Sequence, residues 1–293
     1  MPELEKPLRR IVESALVEDG ARRDVTTNRL LRNFKSEKAF AQIIAKEKFV
    51  LCGLPLAEYA FNLLDENSRY KRFLQDGETT EQGKPILAIE SYVGAILSAE
   101  RVALNLLQLA SGIATKTSEF VKAVEGTGAQ IYDTRKTLPS LRPLQRYAVR
   151  IGGGKNHRYN LAFAVLIKDN HLQILRKRFK DIDELFQEAY RIMGGLAKDS
   201  EIEVETLTEM ESAIRAGFRL ILLDNFSIVG LKEAVSLARK IECMLGEKIV
   251  LEASGGINLQ TVRAVAETGV DRISVGELTR NITTPDVSLD ILT

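Results

Sequence analysis

The residues best suited to do chemistry are cations gathered between Asp133 and Asp169. This stretch contains no Asp or Glu, although the chain holds 40 acids in 293 residues. A run of like charge is commonly a solvated surface, but this one also carries the glycine triplet at 152–154, whose backbone can approach a ligand closely. We therefore interpret the stretch as an anion-binding segment. Its cations are Arg135, Lys136, Arg142, Arg146, Arg150, Lys155, His157, Arg158 and Lys168.

Polar or glycine residues follow every apolar run in the second half of the chain. If these runs are parallel strands, their ends meet at one edge of the sheet, where β/α folds build active sites. Any single charge there can also be a helix cap or part of a loop salt bridge. The complete set predicts one site, with cations on early strands, carboxylates on middle strands and glycines on the last. The set comprises 133–136, Lys168-Asp169, Glu205, Asp224-Asn225, 254–256 and Gly276-Glu277.

The types of these residues indicate the ligands. A Ser-Gly-Gly turn at 254–256 and Gly276 in the next unit present backbone N–H groups to a phosphate, although a tight turn is the simpler use of one glycine. Glu205 and Asp224 suit sugar hydroxyls or Mg²⁺ and would favour positive charge on a sugar ring. The cations suit a pyrophosphate and further carboxylates. The residues alone predict a phosphorylated sugar and a second, polyanionic reactant.

The elements that must position these residues form a repeated β/α pattern. Runs that are apolar on both faces, linked by helical stretches, indicate a parallel sheet, and their number favours an incomplete or open β/α barrel over a doubly wound open sheet. No G-x-G-x-x-G opens the first unit, as a dinucleotide fold would require. We predict this catalytic domain over residues 113–278, with strands within 129–135, 163–170, 201–206, 220–225, 249–256 and 272–277, and helices over 182–193, 207–216, 228–244 and 259–267.

The earlier part of the chain predicts a smaller α+β domain over residues 1–112. Its β-rich segments are separated by Asp-Gly and Gln-Gly turn signals, which favours an antiparallel sheet with helices on one face. The C-terminal tail, 279–293, is expected to pack back onto this domain. The predicted helices cover about 3–17 and 56–66, and the predicted strands fall within 38–53, 70–75 and 85–94.

The segment 98–115 predicts a different kind of helix, because apolar residues occupy almost its whole circumference. Such a helix must be buried. Its polar residues Arg101, Asn105 and Gln108 fall on one narrow stripe, which predicts a polar partner for them. Alternatively, Arg101 is a satisfied structural residue or extends along the surface.

Composition excludes several classes of protein. Lys and Arg total 41 against 40 acids, which gives no support to nucleic-acid or membrane-surface binding. Two cysteines, Cys52 and Cys243, and two histidines, His157 and His171, form no zinc or disulfide pattern. We find no targeting signal and no segment approaching the length of a membrane span. A cytoplasmic protein is expected.

Several segments together resemble one enzyme family, the carboxylating nicotinate-nucleotide pyrophosphorylases, also called quinolinate phosphoribosyltransferases. The long D-T-R-K-T to G-G-G-K-N-H-R stretch is highly specific. The sequence differs from the family pattern at Arg23, where Gly is usual, and at Arg280, where His is frequent. The resembling segments are 18–27, 100–115, 133–158, 166–171, 203–206, 222–226, 252–257 and 273–279.

The resemblance implies that quinolinate and phosphoribosyl pyrophosphate, with Mg²⁺, become nicotinate mononucleotide, pyrophosphate and CO₂. It also implies at least a homodimer, with a hexamer as a higher assembly, in which Arg101 reaches the neighbouring subunit's site. Lys136, Lys168, Glu205 and Asp224 would be the catalytic residues. The implied roles are carboxylate binding for Arg135, His157 and Arg158, neutralisation of pyrophosphate for Lys136 and Lys168, contact with ribose hydroxyls and metal for Glu205 and Asp224, 5′-phosphate binding for Ser254, Gly255, Gly256 and Gly276, and further substrate contact for Thr134, Val275 and Glu277.

Three other functions remain as alternatives. A relative with the same fold could transfer phosphoribose to another acid or serve a role linked to metal transport, which the set of Arg135, His157 and Arg158 disfavours. A Schiff-base aldolase could use Lys168, because a desolvated lysine among cations has a lowered pKa. A non-enzymatic anion sensor would rarely need carboxylates opposite cations in one pocket.

Overall fold

The computed structural model of the protein describes residues 4–292, which form two compact units. The first unit combines the described residues up to Ser118 with Thr137–Gly153 and with the C-terminal part from Leu278. The second unit combines Glu119–Lys136 with Gly154–Glu277. Each unit has its own sheet, and the second holds the predicted strand ends.

The first unit is built on an antiparallel sheet, as the sequence predicts. Its strands are β1 (Lys38–Ala45), β2 (Arg69–Arg72), β3 (Pro85–Tyr92) and β10 (Val287–Leu292). They lie in the order β10-β1-β3-β2. Along β1 the burial alternates, with Ala41, Ile43 and Ala45 fully buried, because successive side chains of a strand point to opposite faces. The tail 279–293, expected to pack onto this part of the chain, contributes β10, in which Ile291 pairs with Ala41 of β1.

Six helices belong wholly or mostly to the first unit. The N-terminal helix buries Leu8, Val12 and Leu16 along one stripe and packs against the third helix. The predicted start of the N-terminal helix, Glu3, lies outside the described residues. The helices are α1 (Lys6–Glu18), α2 (Val25–Leu30), α3 (Leu54–Asn62), α4 (Val93–Ala123), α5 (Arg142–Ile151) and α11 (Glu277–Arg280), and a 3₁₀ turn covers Ala21–Arg23.

The fourth helix overturns the expectation that no segment approaches the length of a membrane span. α4 has 31 residues and is apolar enough to cross a membrane, yet 56% of its most apolar window is buried inside the protein. Ile96, Ala103 and Leu107 on this helix are fully buried. Its apolar character is explained by the protein core it fills.

Helix α5 shows why the predicted boundaries 1–112 and 113–278 differ from the structural units. We assigned it to the catalytic domain, but its side chains hydrogen-bond within the first unit. The Tyr147 hydroxyl donates to Asp76 Oδ2 at 2.7 Å, and Gln145 Nε2 donates to the Thr279 carbonyl oxygen at 2.9 Å. These partners are distant in sequence, so periodicity along the chain cannot reveal them.

The second unit contains a six-stranded parallel sheet in the order β4-β9-β8-β7-β6-β5. Consecutive strands from β5 to β9 are neighbours, and β9 then pairs with β4, so the sheet follows a barrel that remains open between β4 and β5. This confirms the predicted incomplete β/α barrel. The strands are β4 (Gln130–Tyr132), β5 (Leu166–Ile167), β6 (Glu201–Val204), β7 (Leu220–Asp224), β8 (Val250–Ser254) and β9 (Arg272–Ser274).

Helices connect these strands, and three of them begin at side-chain caps. Two of them have the predicted bounds, 182–193 and 207–216, because their N-cap residues are readable in the sequence. Asp181 accepts a hydrogen bond from the Glu184 backbone N–H, and Thr206 accepts one from the Glu209 N–H. The helices are α6 (Asp169–Leu175), α7 (Ile182–Met193), α8 (Leu207–Ala216), α9 (Ile228–Leu245) and α10 (Val262–Ala266), and a 3₁₀ segment covers Gly194–Asp199.

Candidate active site

The carboxyl ends of the parallel strands surround a cavity of about 370 Å³ within the second unit. Cations and carboxylates both line it, together with two serine hydroxyls. It therefore offers binding groups for a ligand that carries several anionic groups and hydroxyls. The lining residues are Thr134, Arg135, Lys136, His157, Arg158, Leu166, Lys168, Glu203, Leu222, Asp224, Glu252, Ser254 and Ser274.

A second cavity, of about 420 Å³, lies in the first unit and is lined mainly by residues of α1 and the turn after it. Two of its polar groups are already used for structure. Arg22 Nη2 donates to the Leu63 carbonyl oxygen at 2.9 Å, and Glu13 Oε1 accepts from the Tyr59 hydroxyl at 2.9 Å. The strand-end cavity is the better candidate, because cations and carboxylates converge there.

The loop that carries His157 and Arg158 is anchored to the end of β4. Lys155 forms a parallel bridge with Tyr132, so the loop continues the sheet edge for one residue. The buried Asp133 then accepts two hydrogen bonds, from the His157 backbone N–H at 2.6 Å and from Asn156 Nδ2 at 2.8 Å. This anchoring brings two separated parts of the cationic stretch to one cavity wall.

Arg135 and Arg158 form the cationic side of the cavity. Burial lowers the pKa of Arg158, and the nearby charge of Arg135 lowers it further. Arg158 Nη1 donates to the Ala164 carbonyl oxygen at 3.2 Å, which fixes the side chain. An anion that binds between these two like charges reduces their repulsion. A carboxylate is a suitable anion, because a guanidinium pairs with it through two parallel hydrogen bonds.

Lys168 lies at the end of β5 and pairs with a carboxylate that the sequence analysis did not select. Its Nζ is 2.7 Å from Glu203 Oε2. Its backbone N–H donates to His171 Nδ1 at 2.8 Å, which links Lys168 to the first turn of α6. This ion pair keeps the ammonium group in a defined position on the cavity wall.

The carboxylate predicted at Glu205 does not line the cavity. Glu205 lies beyond the end of β6 with its side chain exposed, and its backbone N–H donates to Glu209 Oε2 at 2.9 Å. Side chains alternate along a strand, so Glu201 and Glu203 lie on the same face of β6. Glu205 would lie on that face too if the strand extended to it. The sequence shows all three carboxylates, but only the end point of the strand identifies the one at the cavity.

Asp224 reaches the cavity at the end of β7, and the next residue holds it there. Asn225 has a positive φ of 56°, a conformation that Asn tolerates better than most residues. Its Nδ2 donates to Asp224 Oδ2 at 2.8 Å. A Cβ placed on Gly255 would lie 2.1 Å from Asn225 Oδ1, so the Ser-Gly-Gly turn can approach Asn225 this closely only with glycine at this position.

The remaining predicted residues lie near the cavity or outside it. A Cβ on Gly276 would lie 3.1 Å from Lys136 Cδ, which places this glycine beside a lining lysine. Gly256 has a positive φ of 60°. Val275 is buried, and its N–H donates to the Tyr132 carbonyl oxygen at 2.9 Å. Of the described residues in the second unit, Gly255, Gly256, Val275, Gly276 and Glu277 are not among those that line the cavity.

Arg101 belongs to the first unit and is not buried within the chain, which is one of the outcomes that the sequence leaves open. Its side chain is 69% exposed, and its Nη2 lies 3.2 Å from Glu100 Oε1. The polar stripe of the helix therefore faces outward at Arg101 and Asn105, while the apolar faces fill the core.

Two family models match the sequence along most of its length. The model described as the quinolinate phosphoribosyl transferase N-terminal domain matches residues 24–111, and the model described as the C-terminal domain of the same enzyme matches residues 113–290. The second match includes every residue that lines the strand-end cavity.

Individual relatives give the same result. A probable nicotinate-nucleotide pyrophosphorylase [carboxylating] of Bacillus subtilis is 36% identical over 97% of this chain and 93% of its own. A mitochondrial quinolinate phosphoribosyltransferase [decarboxylating] of Nicotiana glauca is 35% identical over 97% of this chain and 82% of its own. The solved structure of the nicotinate-nucleotide pyrophosphorylase from Francisella tularensis superposes with a TM-score of 0.85 and 36% identity, covering 99% of this chain and 98% of the other.

Proposed function

The chain belongs to the quinolinate phosphoribosyl transferase family, and we propose that its strand-end cavity joins quinolinate to phosphoribosyl pyrophosphate. The products are nicotinate mononucleotide, pyrophosphate and CO₂, in the biosynthesis of NAD. The observation that carries the proposal is the convergence, in one cavity, of the Arg135 and Arg158 guanidinium groups with Lys168 and Asp224.

The cationic wall would bind the dicarboxylic substrate. Arg135 and Arg158 pair with the two carboxylates of quinolinate, and their mutual repulsion in the empty site makes the pairing more favourable. His157 lies on the same wall and supplies a third positive group if it is protonated. These groups fix the pyridine nitrogen toward the sugar, and holding two reactants in one geometry removes much of the entropic barrier.

In the reaction, the pyridine nitrogen forms a bond to C1 of the ribose while the bond from C1 to the pyrophosphate oxygen breaks. Positive charge develops on the sugar ring, and Asp224 is placed to stabilise it. Lys136 and Lys168 would neutralise the departing pyrophosphate. When the neighbouring carboxylate departs as CO₂, the electron pair left on the ring carbon is stabilised by the adjacent pyridinium nitrogen, and a proton adds to that carbon.

We propose that Glu203 contacts the ribose hydroxyls in place of Glu205, since Glu203 lines the cavity and Glu205 does not. Its ion pair with Lys168 holds the lysine toward the position of the pyrophosphate. For the 5′-phosphate we propose the Ser254 hydroxyl and the backbone N–H groups of the Ser-Gly-Gly turn, with Gly276 allowing close approach.

For Mg²⁺, the chemistry of the lining residues fits one protein ligand. Asp224 offers a half-buried carboxylate on the cavity wall, the hard oxygen donor that Mg²⁺ prefers, whereas Glu205 lies outside. We propose that Asp224 holds the ion together with oxygens of phosphoribosyl pyrophosphate. When bound, the ion would neutralise charge on the pyrophosphate.

For the assembly we propose at least a homodimer, with a hexamer as a further possibility. Arg101 is an exposed cation on the outward-facing polar stripe of α4, and a cation so placed on each subunit is available to an anion held by a second copy. We propose that Arg101 contacts quinolinate in the neighbouring subunit's cavity. We also propose a cytoplasmic location, in keeping with two cysteines that are both free.

A coupled assay tests the proposed function. Purified protein with Mg²⁺ should release pyrophosphate and CO₂ in equal amounts only when quinolinate and phosphoribosyl pyrophosphate are both present. Nicotinate in place of quinolinate should give no CO₂, and turnover of nicotinate alone would favour transfer to another acid. Trapping of a sugar phosphate on Lys168 by borohydride would instead support the aldolase alternative.

A further inference from the structure

His157 is in contact with two carboxylates that the proposed reaction does not use. Its Nε2 lies 2.7 Å from Glu201 Oε2 and 3.6 Å from Glu252 Oε1. Glu201 begins β6 and Glu252 is the third residue of β8, so both come from the sheet and not from loops. The ligand atoms of the three groups lie within 4.8 Å of one another, but the 2.7 Å separation is that of a hydrogen bond and indicates a shared proton.

The two carboxylates are more deeply buried than acids usually are. The side chains of Glu201 and Glu252 are 3% and 0% exposed. Ser274 lies beside Glu252, but the Ser274 hydroxyl donates to the Ala253 carbonyl oxygen at 3.5 Å, and neither Oε of Glu252 has a hydrogen-bond partner among residues 4–292. Two carboxylates this close in such surroundings cannot both be charged at low cost.

Burial and the surrounding charges determine which residues of the cluster are protonated. Burial raises the pKa of Glu252 to about 8, with the Glu201 charge as the second cause, so Glu252 keeps its proton at pH 7. For His157, burial alone lowers the pKa, but the hydrogen bond with Glu201 and the charges of Glu201 and Asp133 raise it overall, and Glu252 raises it further only when it is ionised.

Nearby cations only partly oppose the protonation of Glu252 and His157. Arg272, on β9, lies over the Tyr132 ring at 5.0 Å and lowers the pKa of Glu252. Arg135 and Arg158, on the cavity wall, are mutually repelling cations, and the Glu201 charge stabilises the charged form of Arg158. The cluster thus holds its protons next to a wall that is already positive.

We propose that Glu201 is a positioning residue that keeps His157 protonated and fixed, so that its imidazolium acts as a third cation for the dicarboxylic substrate. Glu252 remains neutral in this state, and it adds no negative charge to a cavity that must accept a dianion. The proposal rests on the proposed function for the identity of that substrate, but the protonation state of His157 does not depend on it.

Because Glu252 is neutral in the proposed binding state, its ionisation at alkaline pH should weaken quinolinate binding. Quinolinate affinity is full while Glu252 holds its proton, and it falls as the pH rises through the pKa of Glu252 at about 8. The loss reaches at most about tenfold in dissociation constant per pH unit, because one proton is linked to binding. In Glu252→Gln the side chain cannot ionise, so this loss should disappear and only the loss that follows deprotonation of His157 should remain.

The first measurement is an NMR titration of the free enzyme. The chain has only two histidines, so ¹⁵N imidazole signals of the full-length protein can be assigned with His171→Gln. We expect His157 to be protonated at pH 7 and its midpoint to fall in Glu201→Gln. A neutral His157 at pH 7 in the wild-type protein, or a midpoint that Glu201→Gln leaves in place, would overturn the proposal.

The second measurement is calorimetric binding of quinolinate and, separately, of phosphoribosyl pyrophosphate between pH 6 and 9.5. Glu201→Gln should raise the quinolinate dissociation constant at pH 7 by about tenfold or more, since a charge-assisted contact is weakened. Phosphoribosyl pyrophosphate binding should not follow the pH dependence of Glu252. In Glu252→Gln, an alkaline loss of quinolinate affinity whose midpoint differs from the His157 midpoint seen by NMR contradicts the proposal, whereas a wild-type protein that binds no quinolinate at any pH contradicts the proposed function instead.

Discussion

Arg135 and Arg158 show how single residues prepare the cavity for an anion. Burial lowers the pKa of Arg158, and the nearby charge of Arg135 lowers it further. Holding two like charges together costs free energy in the unliganded protein, and a dicarboxylate that binds between them recovers it. This repulsion involves only Arg135 and Arg158, because the charge of Lys168 on the same cavity wall is balanced by its ion pair with Glu203.

We expect Arg135→Ala and Arg158→Ala each to weaken quinolinate binding by about 2–5 kcal/mol, because one substrate carboxylate loses its partner while it remains desolvated. Phosphoribosyl pyrophosphate binding should be retained. Titration calorimetry with each substrate measures both effects, with Lys177→Ala as an exposed cationic control. Quinolinate affinity that is unchanged in both cavity variants would remove these residues from the substrate site.

Glu203 and Glu205 provide a matched pair, because they are two residues apart and only Glu203 lines the cavity. Glu203→Gln breaks the contact with Lys168 and should slow turnover by about 10- to 100-fold, the effect of losing one charge-assisted hydrogen bond. Glu205→Gln should change turnover by less than about threefold. Single-turnover rates at saturating substrates and Mg²⁺ measure both. If Glu205→Gln were the slower variant, the sequence-based choice would be restored.

At the level of elements, glycines decide how closely segments approach α4. Gly152, at the end of α5, packs against this helix with no room for a side chain. A Cβ there would lie 2.4 Å from the Ala114 carbonyl oxygen and 2.7 Å from Thr117 Cβ. The glycine triplet that the sequence analysis associated with a ligand therefore has, at its first position, a packing role within the first unit.

We predict that Gly152→Ala destabilises the protein by about 1–3 kcal/mol, since the added methyl group must displace backbone. Gly195→Ala is the control: no atom lies within 4 Å of its Cβ position, and the expected change is within about 0.5 kcal/mol. Thermal melting of both variants compares them. Equal melting temperatures would show that the loop before the catalytic residues moves freely away from α4.

At the level of the whole molecule, the proposed site requires two subunits. Arg101 is exposed on its own chain, where its guanidinium pairs with the adjacent Glu100. An ion pair at this degree of exposure is worth little, so Arg101 can exchange it for an anion on another subunit at low cost. Subunit mixing tests this arrangement.

Arg101→Ala and Arg135→Ala homodimers should each be nearly inactive. A mixed dimer then contains one site with both lesions and one with neither, because Arg101 of one subunit serves the cavity of the other. Random reassortment of equal amounts gives about half mixed dimers, and therefore about a quarter of the wild-type activity per site. Exchange is verified by mass spectrometry of tagged subunits. If no activity returns although exchange has occurred, Arg101 serves the site of its own chain or has a purely structural role.

Much of this protein is determined locally in its sequence. The bounds of α7 and α8 follow from helical periodicity and from caps at Asp181 and Thr206, which act over a few residues. The parallel strands follow from short runs that are apolar on both faces. The anionic nature of the ligand follows from an acid-free cationic stretch, and the enzyme family from the motifs within that stretch.

The tertiary structure decided what depends on distant partners. Glu201, Glu203 and Glu205 are equivalent in the sequence, and only the place where β6 ends and the register of its neighbours put Glu203 at the cavity and Glu201 beneath His157. The hydrogen bonds of Tyr147 and Gln145 assigned α5 to the first unit. Arg101 proved exposed because an apolar helix can still turn one polar stripe outward. Each outcome depends on contacts between residues far apart in the chain, which local periodicity and residue type do not encode.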